Sequence, residues 1–255
     1  MNVLLLGGTA EARELAGLLP AEGISVVTSL AGAVAAPRSP EGTTRVGGFG
    51  GVDGLASYLR DQHVDAVIDA THPFAERMSA NAADACGRTG VPLLRLSRAS
   101  WAARPDSVSW HWADSIDQAR EIAGRLGERV FLAIGRQSLG ELTGWADRFV
   151  LARVVEPPDF VVPPSWTVLR GRGPFRIEDE LDLLRRYEIE VLVTKDSGGP
   201  TDAKLDAASE LEVPVVMIRR PAPPGGVRWV TGVADVMVWV KGLRPGVAGQ
   251  RRRSR

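Results

Sequence analysis

Cysteine and histidine are scarce in this chain of 255 residues, which contains one cysteine, Cys86, and three histidines, His63, His72 and His111. A single cysteine excludes an internal disulfide framework and a cysteine-based zinc site. The histidines are too widely separated along the chain to suggest a metal cluster. We therefore expect no metal site, and we expect Cys86, which falls on an apolar helix face, to pack rather than to react.

Long apolar runs and net charge are also lacking. The longest apolar stretches, such as Val3–Leu6 and Val213–Ile218, are far too short to cross a bilayer. Lys and Arg together number 31, as do Asp and Glu, so the formal net charge is zero. This balance gives no reason to expect nucleic acid or a membrane surface as a partner. Met1 leads directly into an apolar strand without a signal segment, which predicts a cytoplasmic protein, and a chain of this length can act as a monomer.

Strand and helix patterns alternate along the chain. Val3–Leu6 is a short apolar run that ends in a glycine turn, and the apolar residues after it recur at helical spacing. Val64–Ala70 is a second buried-type strand that runs into Thr71-His72-Pro73-Phe74. Near-continuous apolar strands alternating with helices predict parallel sheets that are covered by helices on both faces.

The second half of the chain repeats the order of the first. The offset between Asp84–Val91 and Asp206–Val213 nearly equals the offset between Val64 and Ile189, so the halves align with small gaps. This pattern predicts an α/β fold of two similar Rossmann-like, doubly wound parallel-sheet domains that face a cleft. We expect an N-terminal domain over 1–115, a C-terminal domain over 116–241 and a flexible basic tail over 242–255. Chance recurrence of generic α/β patterning is the alternative, and it would leave the fold class intact.

Positively charged residues recur where the strands are predicted to end. Ligands of open parallel sheets bind outside the carboxyl ends of the strands, where helix N-termini point their N–H groups into the crevice. The cations at these ends are Arg95, Arg98, Arg136, Arg153, Lys195, Arg219 and Arg220. Each one alone also fits an ordinary surface residue, but together, in a neutral chain, they indicate an anionic ligand.

A glycine turn, Gly7-Gly8-Thr9-Ala10, separates the first strand from the first helix. Such a turn can bring backbone amides against a phosphate, although it departs from the Gly-x-Gly-x-x-Gly pattern and also fits a simple tight turn. The second strand ends in Thr28-Ser29, without the Asp or Glu that usually binds an unmodified ribose hydroxyl. A cofactor with a 2′-phosphate tolerates that change better.

Two further segments carry groups suited to catalysis. His72 lies in a rigid turn at a strand end, where it could orient a ligand or move a proton, with Asp69 to orient its ring. A capped helix start explains the same residues equally well. The segment Lys195–Gly199, with Lys204 beyond it, places a cation, a carboxylate and permissive backbone at one helix entrance, which favours a functional role.

Several of these motifs occur together in one known family. They are Gly7-Gly8-Thr9 with Glu11 and Arg13, Asp69–Ala75, Leu94-Arg95 with Arg98 and Trp101, Gly135-Arg136-Gln137, Gly173-Pro174-Phe175, Thr194-Lys195 with Ser197-Gly198-Gly199, and Met217–Pro221. In this order and at strand ends, they make the chain resemble the precorrin-6A reductase family over nearly its whole length. The resemblance implies a two-domain enzyme of cobalamin biosynthesis with its active site in the cleft. It also implies an NADPH-dependent oxidoreductase acting on a CH–CH bond, which reduces one double bond of precorrin-6A, a methylated, ring-contracted tetrapyrrole, to give precorrin-6B.

The residues at the strand ends fit that chemistry, because the substrate carries many carboxylates and the cofactor supplies the hydride. The residues expected to act in catalysis are His72, Lys195 and Asp196. Those expected to contact NADPH are Gly7, Gly8, Thr9, Ala10, Gly135, Arg136, Gln137, Ser197, Gly198 and Gly199. Those expected to contact the tetrapyrrole are Thr71, Arg95, Arg98, Lys204 and Arg219.

Two other functions stay open, as does the half that carries the nucleotide. One is a nucleotide-sugar transferase with two Rossmann-like domains, although such enzymes usually have larger domains. The other is a non-catalytic, two-lobed protein that closes on an anion, although a secreted binding protein would begin with a signal segment.

Overall fold

The computed structural model describes residues 1–30 and 43–243. Their strands are β1 (Asn2–Leu6), β2 (Ser25–Leu30), β3 (Thr43–Val46), β4 (Ala66–Asp69), β5 (Leu93–Leu96), β6 (His111–Ala113), β7 (Arg129–Ala133), β8 (Phe149–Val154), β9 (Trp166–Arg170), β10 (Val191–Lys195), β11 (Val215–Ile218) and β12 (Arg228–Val230). Their helices are α1 (Ala10–Ala21), α2 (Gly51–Asp61), α3 (Glu76–Thr89), α4 (Ile116–Leu126), α5 (Arg136–Leu139), α6 (Ile177–Arg186), α7 (Ala203–Glu210) and α8 (Val233–Leu243).

The strands form two parallel sheets, each with six strands in the described part of the chain. The order is β12-β5-β4-β1-β2-β3 in the first sheet and β6-β11-β10-β7-β8-β9 in the second. Five strands of the first sheet, β5-β4-β1-β2-β3, correspond in position and chain order to five strands of the second sheet, β11-β10-β7-β8-β9. The prediction of two similar parallel-sheet α/β domains is therefore confirmed, whereas the cleft stays a prediction.

Each half of the chain gives its last strand to the other sheet. β6 follows the first half in sequence but pairs with β11, and β12 follows the second half but pairs with β5. The compact units are consequently Met1–Arg98 with the chain from Pro221 onward, and Ala99–Arg220.

The boundaries of these units differ from the predicted boundaries at 115 and 241. The sequence could not predict them, because a three-residue edge strand carries too few apolar residues to indicate which sheet it joins. The predicted tail begins within α8, which ends at Leu243. The rest of the tail lies outside the described residues.

The first sheet is doubly wound. Leu5 and Ile68 pack on one face against α1 and α8, in a cluster that includes Leu15 and Val236. The alternate strand residues, among them Leu4, pack on the other face against α2 and α3. Because successive strand residues point to opposite faces, the part of a strand that is buried on both sides has to be apolar, as Val3–Leu6 of β1 are.

The second unit buries larger side chains on one face of its sheet. Its described core includes Phe131, Leu151 and Met217 together with Trp101 and Trp110, which precede β6. The segment between β8 and β9, with its proline pairs, forms neither helix nor strand, as its composition predicts.

Candidate functional site

The glycine turn of the first unit is fixed by Thr9. The hydroxyl of this buried residue accepts a hydrogen bond from the Ala12 N–H at 3.1 Å and donates to the Ala70 carbonyl at 2.9 Å. The first contact caps α1, and the second ties the turn to the end of β4. Gly8, at the exposed point of the turn, has a φ of +129°, which favours glycine.

The same turn is closed against the end of β2. The Gly7 N–H donates to the Ser29 carbonyl at 2.9 Å, and a Cβ atom on Gly7 would lie 3.1 Å from Cγ2 of Thr28. The Thr28 hydroxyl is buried without a hydrogen-bond partner in the described structure. A narrow glycine turn at a helix N-terminus beside this polar atom fits a dinucleotide phosphate, whose oxygens accept from backbone N–H groups.

Asp69 and Arg95 form a buried ion pair at the ends of β4 and β5. The Arg95 guanidinium donates to Oδ2 of Asp69 at 2.6 Å, and the two side chains are 6% and 2% exposed. Oδ1 of Asp69 accepts from both the N–H and the hydroxyl of Thr71. Arg95 and Thr71 are thus held inside the first unit, so their predicted contact with a substrate would require this pair to open.

His72 and Arg98 lie closer to the surface of the same unit. Nδ1 of His72 accepts from the Phe74 N–H at 3.2 Å, so one ring nitrogen stabilises the turn that follows β4. Arg98 donates to both carboxylate oxygens of Glu11, in the first turn of α1, at 2.8–2.9 Å. Burial by itself would raise the pKa of Glu11, but the hydrogen bonds and charge of Arg98, together with hydrogen bonds from the Glu11 backbone and Thr9, lower it, which keeps the carboxylate charged.

In the second unit, Lys195 ends β10 and points its ammonium group at α5. Its Nζ atom donates to the Ser138 hydroxyl at 2.7 Å. Burial lowers the pKa of Lys195, although the negative charge of Glu141 opposes the shift. The predicted residues Gly135, Arg136 and Gln137 begin this short helix, with Gly135 exposed at a φ of +81°.

Asp196 is the most heavily bonded side chain of this region. Its carboxylate accepts from the Ser100 hydroxyl at 2.7 Å, from the Trp101 N–H at 2.9 Å and from two nitrogens of Arg220 at 2.9 and 3.0 Å. The residue is 3% exposed. These bonds fix the segment after β5 against the end of β10, an arrangement that positions the neighbouring Lys195.

Lys204 occupies a buried cluster of aromatic and charged groups. Its Nζ atom lies 4.5 Å from the Trp101 ring centroid and donates to the Thr201 carbonyl. Burial, together with the nearby Arg153, lowers the pKa of Lys204 to about 8. Arg153 pairs with Glu180, which is 1% exposed and whose second oxygen has no partner in the described structure. The backbone of Gly198 and Gly199 adjoins this cluster, since the Gly199 carbonyl accepts from the Trp101 indole.

Arg219 lies on the exposed side of the end of β11. Its guanidinium contacts the Asp114 carboxylate at 3.0 Å and lies over the Trp112 ring at 4.7 Å from the centroid. A carboxylate that approached Arg219 from solvent would meet a guanidinium already held in place by these two groups.

The site residues predicted from sequence therefore divide between the two units. The first unit holds Gly7, Gly8, Thr9, Ala10, Thr71, His72, Arg95 and Arg98. The second holds Gly135, Arg136, Gln137, Lys195, Asp196, Ser197, Gly198, Gly199, Lys204 and Arg219. Within each unit these residues gather at the carboxyl ends of the strands, as expected for an open parallel sheet.

The sequence prediction did not include Ser138 or Glu180 among the site residues. Glu180 is buried in the first turn of a helix with otherwise ordinary polar patterning, so no periodic signal distinguishes it. The two site lysines did carry a signal, because the chain has only three lysines and these are Lys195 and Lys204, with Lys241 elsewhere.

The sequence predicts neither a metal site nor a membrane-spanning segment. Over residues 1–30 and 43–243, no group of three or more His, Cys, Asp or Glu side chains could hold a metal ion. In the same residues, no helix has the length and apolar character that a bilayer crossing requires. Cys86 lies on the buried face of α3, and burial raises the pKa of its thiol to about 12, which agrees with a packing role.

Comparisons with known proteins agree on one family. The family model described as Precorrin-6x reductase CbiJ/CobK matches residues 2–241. A protein named Precorrin-6A reductase from Rhodococcus erythropolis is 50% identical over 241 residues, which cover 94% of this chain and 97% of that protein. A protein of the same name from Mycobacterium tuberculosis is 45% identical over 244 residues, covering 95% and 98%.

A solved structure gives the same result. The structure titled CobK precorrin-6A reductase superposes with a TM-score of 0.86 at 41% identity, over 98% of this chain and 99% of that one.

Proposed function

This chain belongs to the precorrin-6x reductase family, and from that premise we propose that it is a precorrin-6A reductase of cobalamin biosynthesis that uses NADPH and forms precorrin-6B. The observation that supports the proposal is that the strand ends of the two units carry different groups. One unit has a glycine turn that fits a dinucleotide phosphate, and the other has lysines held by neutral oxygens. A dinucleotide and a polycarboxylate are the two ligands that a precorrin reductase has to bind.

The reaction adds two electrons and two protons, as one hydride and one proton, across one double bond of the macrocycle. NADPH, when bound, supplies the hydride and leaves as NADP⁺, while a proton from the protein or from water completes the product. The chain's own residues have to bind both partners, hold the nicotinamide against one face of the ring and exclude water.

Lys195 is the residue that best supports the proton step. Its ammonium group donates to Ser138 in a partly buried position, and burial lowers its pKa, which makes proton release easier at neutral pH. Asp196 has a positioning role, because its oxygens are occupied by Arg220, Ser100 and the Trp101 backbone. His72 is a second candidate donor, with Nδ1 used by the Phe74 N–H.

Substrate carboxylates are matched by cations at the strand ends. Arg98 and Arg219 lie near the surface, each already oriented by one carboxylate. Lys204 is buried above Trp101 and would gain a carboxylate as hydrogen-bond partner if an acetate or propionate group reached it. In that event the bound carboxylate would raise the pKa of Lys204 back toward its ordinary value.

The test is an anaerobic assay with purified protein, NADPH and precorrin-6A. We expect the absorbance of reduced nicotinamide to fall with substrate present and to stay constant without it, and one NADPH to be consumed per precorrin-6B formed. No oxidation of NADPH with a competent substrate would remove the reductase proposal. Oxidation of NADH at the same rate would remove only the preference for the phosphorylated cofactor.

A further inference from the structure

We propose that Ser138 is a positioning residue whose hydroxyl group holds the ammonium group of Lys195 for the proton step. This inference rests on the proposed reduction, in which Lys195 gives a proton, and extends it to a residue that does not itself react. Nζ of Lys195 donates to the Ser138 hydroxyl oxygen at 2.7 Å, and Ser138 is 6% exposed. Because Ser138 is buried, little water competes with it as an acceptor.

The pairing of β7 with β10 brings the two residues together. These strands are parallel neighbours in the second sheet, with Thr194 opposite Ala133, so the end of β10 adjoins the segment that follows β7. Gly135 has a φ of +81°, and the chain enters α5 directly after it, where the Ser138 N–H donates to the Gly135 carbonyl at 3.3 Å. The backbone thus fixes Ser138 beside the strand end that carries Lys195.

A lysine needs such a partner if it is to deliver a proton to one particular atom. Its ammonium group is attached to a flexible four-carbon chain, so it samples several positions unless an acceptor fixes it. General acid catalysis requires the donor to lie within hydrogen-bond distance of the group that it protonates. An ammonium group has three N–H donors, and the bond to Ser138 uses one of them. The contact therefore restricts Lys195 without preventing it from reaching a substrate.

A hydroxyl group suits a lysine that changes its protonation state. In the proposed step an N–H bond of Lys195 breaks while a C–H bond of the product forms, and the neutral amine then takes up a proton from water. The Ser138 hydroxyl accepts from the ammonium group and can donate to the neutral amine, so the contact is retained in both states. The ammonium group of Lys204 donates instead to the Thr201 carbonyl, which can only accept. The partner of Lys195 is therefore the one suited to proton transfer.

The charges around Lys195 in the second unit also favour a neutral partner. Burial lowers the pKa of Lys195, and the negative charge of Glu141, in the turn after α5, opposes the shift. The other charged residues at the adjoining strand ends are Arg136, Asp196, Arg219 and Arg220. Among these, the carboxylate of Asp196 is paired with Arg220. A carboxylate in place of Ser138 would raise the pKa of Lys195 and make it a weaker acid, whereas a hydroxyl group fixes it without that cost.

The first test compares two Ser138 variants in the anaerobic NADPH assay over a range of pH. Native kcat should fall as the pH rises through the pKa of Lys195. Ser138→Ala should lower kcat by about tenfold with little change in KM, since the fixed acceptor assists the proton step more than binding. Ser138→Asp keeps an acceptor, but its charge should move the fall in kcat to higher pH by about one unit or more. Ser165→Ala is the matched control, because that hydroxyl donates to the Ala146 carbonyl before β9, and it should leave kcat and its pH profile unchanged.

A second measurement follows Lys195 apart from turnover. The chain contains three lysines, so ¹³C-labelled lysine side chains give few NMR signals, and Lys195→Met identifies the signal of Lys195. The pKa of Lys195 should be lower by about 0.5–1 unit in Ser138→Ala, because an acceptor that favours the charged form is lost. It should be higher than native in Ser138→Asp. The same spectra report whether each variant is folded.

A double variant decides whether Ser138 acts through Lys195. With Lys195 already replaced by methionine, Ser138→Ala should cause no further loss of kcat, because the step that it assists is gone. A further tenfold loss, or the same Lys195 pKa in all Ser138 variants, would overturn the inference and leave the reductase proposal intact. Full turnover in Lys195→Met would overturn the inference together with the assignment of the proton step to Lys195. A native protein that oxidises no NADPH with precorrin-6A would overturn the reductase proposal as well.

Discussion

In the first unit, arginines that follow the strands are matched by carboxylates: Arg95 by Asp69 and Arg98 by Glu11. In the second unit, Lys195 and Lys204 donate instead to a hydroxyl and a carbonyl oxygen. An anion that approaches the first pair of cations has to compete with a carboxylate already in place. Carboxylates also lie near these lysines, Glu141 near Lys195 and both Glu180 and Asp202 near Lys204, but the hydrogen bonds described above for the two ammonium groups go to neutral oxygens. We propose that they bind carboxylates of the tetrapyrrole.

The two units can also be compared by the Asp–Arg ion pair that each of them contains. Asp69 with Arg95 and Asp196 with Arg220 occupy corresponding places, at the ends of β4 and β5 and just after β10 and β11. The first pair is almost fully buried, whereas the Arg220 side chain is 19% exposed. The two units thus contain an ion pair at corresponding strand ends, and the pairs differ in how exposed the arginine is.

The largest expected effect on the free energy of unfolding comes from breaking these two ion pairs, and we expect the two costs to differ. Arg95→Leu should lower the free energy of unfolding by about 3–5 kcal/mol, because it leaves the Asp69 carboxylate charged and buried. Arg220→Leu should cost about 1–3 kcal/mol, because the Arg220 side chain is 19% exposed, against 6% for Arg95, so water can reach the Asp196 carboxylate when the guanidinium is removed. Urea unfolding of both variants measures the difference. Replacing both Asp69 and Arg95 by leucine should recover much of the loss, and equal costs for the two single variants would contradict the comparison.

Lys195 gives the largest expected effect on activity. Lys195→Met should lower kcat by about 10²- to 10³-fold with a small change in KM, as expected when a proton donor is removed. Lys241→Met is the matched control, since that lysine is exposed and pairs with Glu22 on the surface. Steady-state kinetics across a pH range measure both variants. A full loss of turnover in His72→Ala, with Lys195→Met unaffected, would transfer the proton step to His72 in the first unit.

The burial of Lys204 should make the stability of the protein depend on pH. Its pKa is lowered to about 8, so between about pH 8 and its ordinary value of 10.5 the folded protein releases a proton that the unfolded chain retains. The free energy of unfolding should therefore rise with pH across this window, by on the order of 3 kcal/mol. Urea unfolding at several pH values measures the rise, to which the lowered pKa of Lys195 also contributes. Lys204→Met should remove most of it, and an unchanged slope in this variant would show that the group is not buried as described.

The fold class followed from the sequence because buried parallel strands are apolar throughout and alternate with helices. The exchange of β6 and β12 did not follow, since three-residue edge strands such as His111–Ala113 are half exposed and carry no periodic pattern. Strand pairing at a sheet edge is decided by which backbone is nearby, and that depends on the whole fold.

For the candidate site, the sequence could predict that Thr9 and Lys195 lie beside strand ends, because glycine turns and strand ends mark the ligand edge of an open sheet. Their contacts with ligands stay predictions. The sequence could not predict the groups that contact or lie near the two site lysines, because Ser138 and Glu180 are distant from them along the chain and come close only in the folded protein.

The smallest expected effects concern the helix caps of the two units. Thr9→Ala should cost about 2 kcal/mol, because it removes the cap of α1 and leaves the buried Ala70 carbonyl without its donor. Ser115→Ala, which removes the exposed cap of α4, should cost about 1 kcal/mol. Thermal unfolding compares the two. Since the Thr9 hydroxyl also fixes the glycine turn, its loss should weaken binding of NADPH, whereas Ser115→Ala should leave that affinity unchanged. Equal effects of the two caps on the NADPH affinity would contradict the proposal that this glycine turn binds a phosphate of the cofactor.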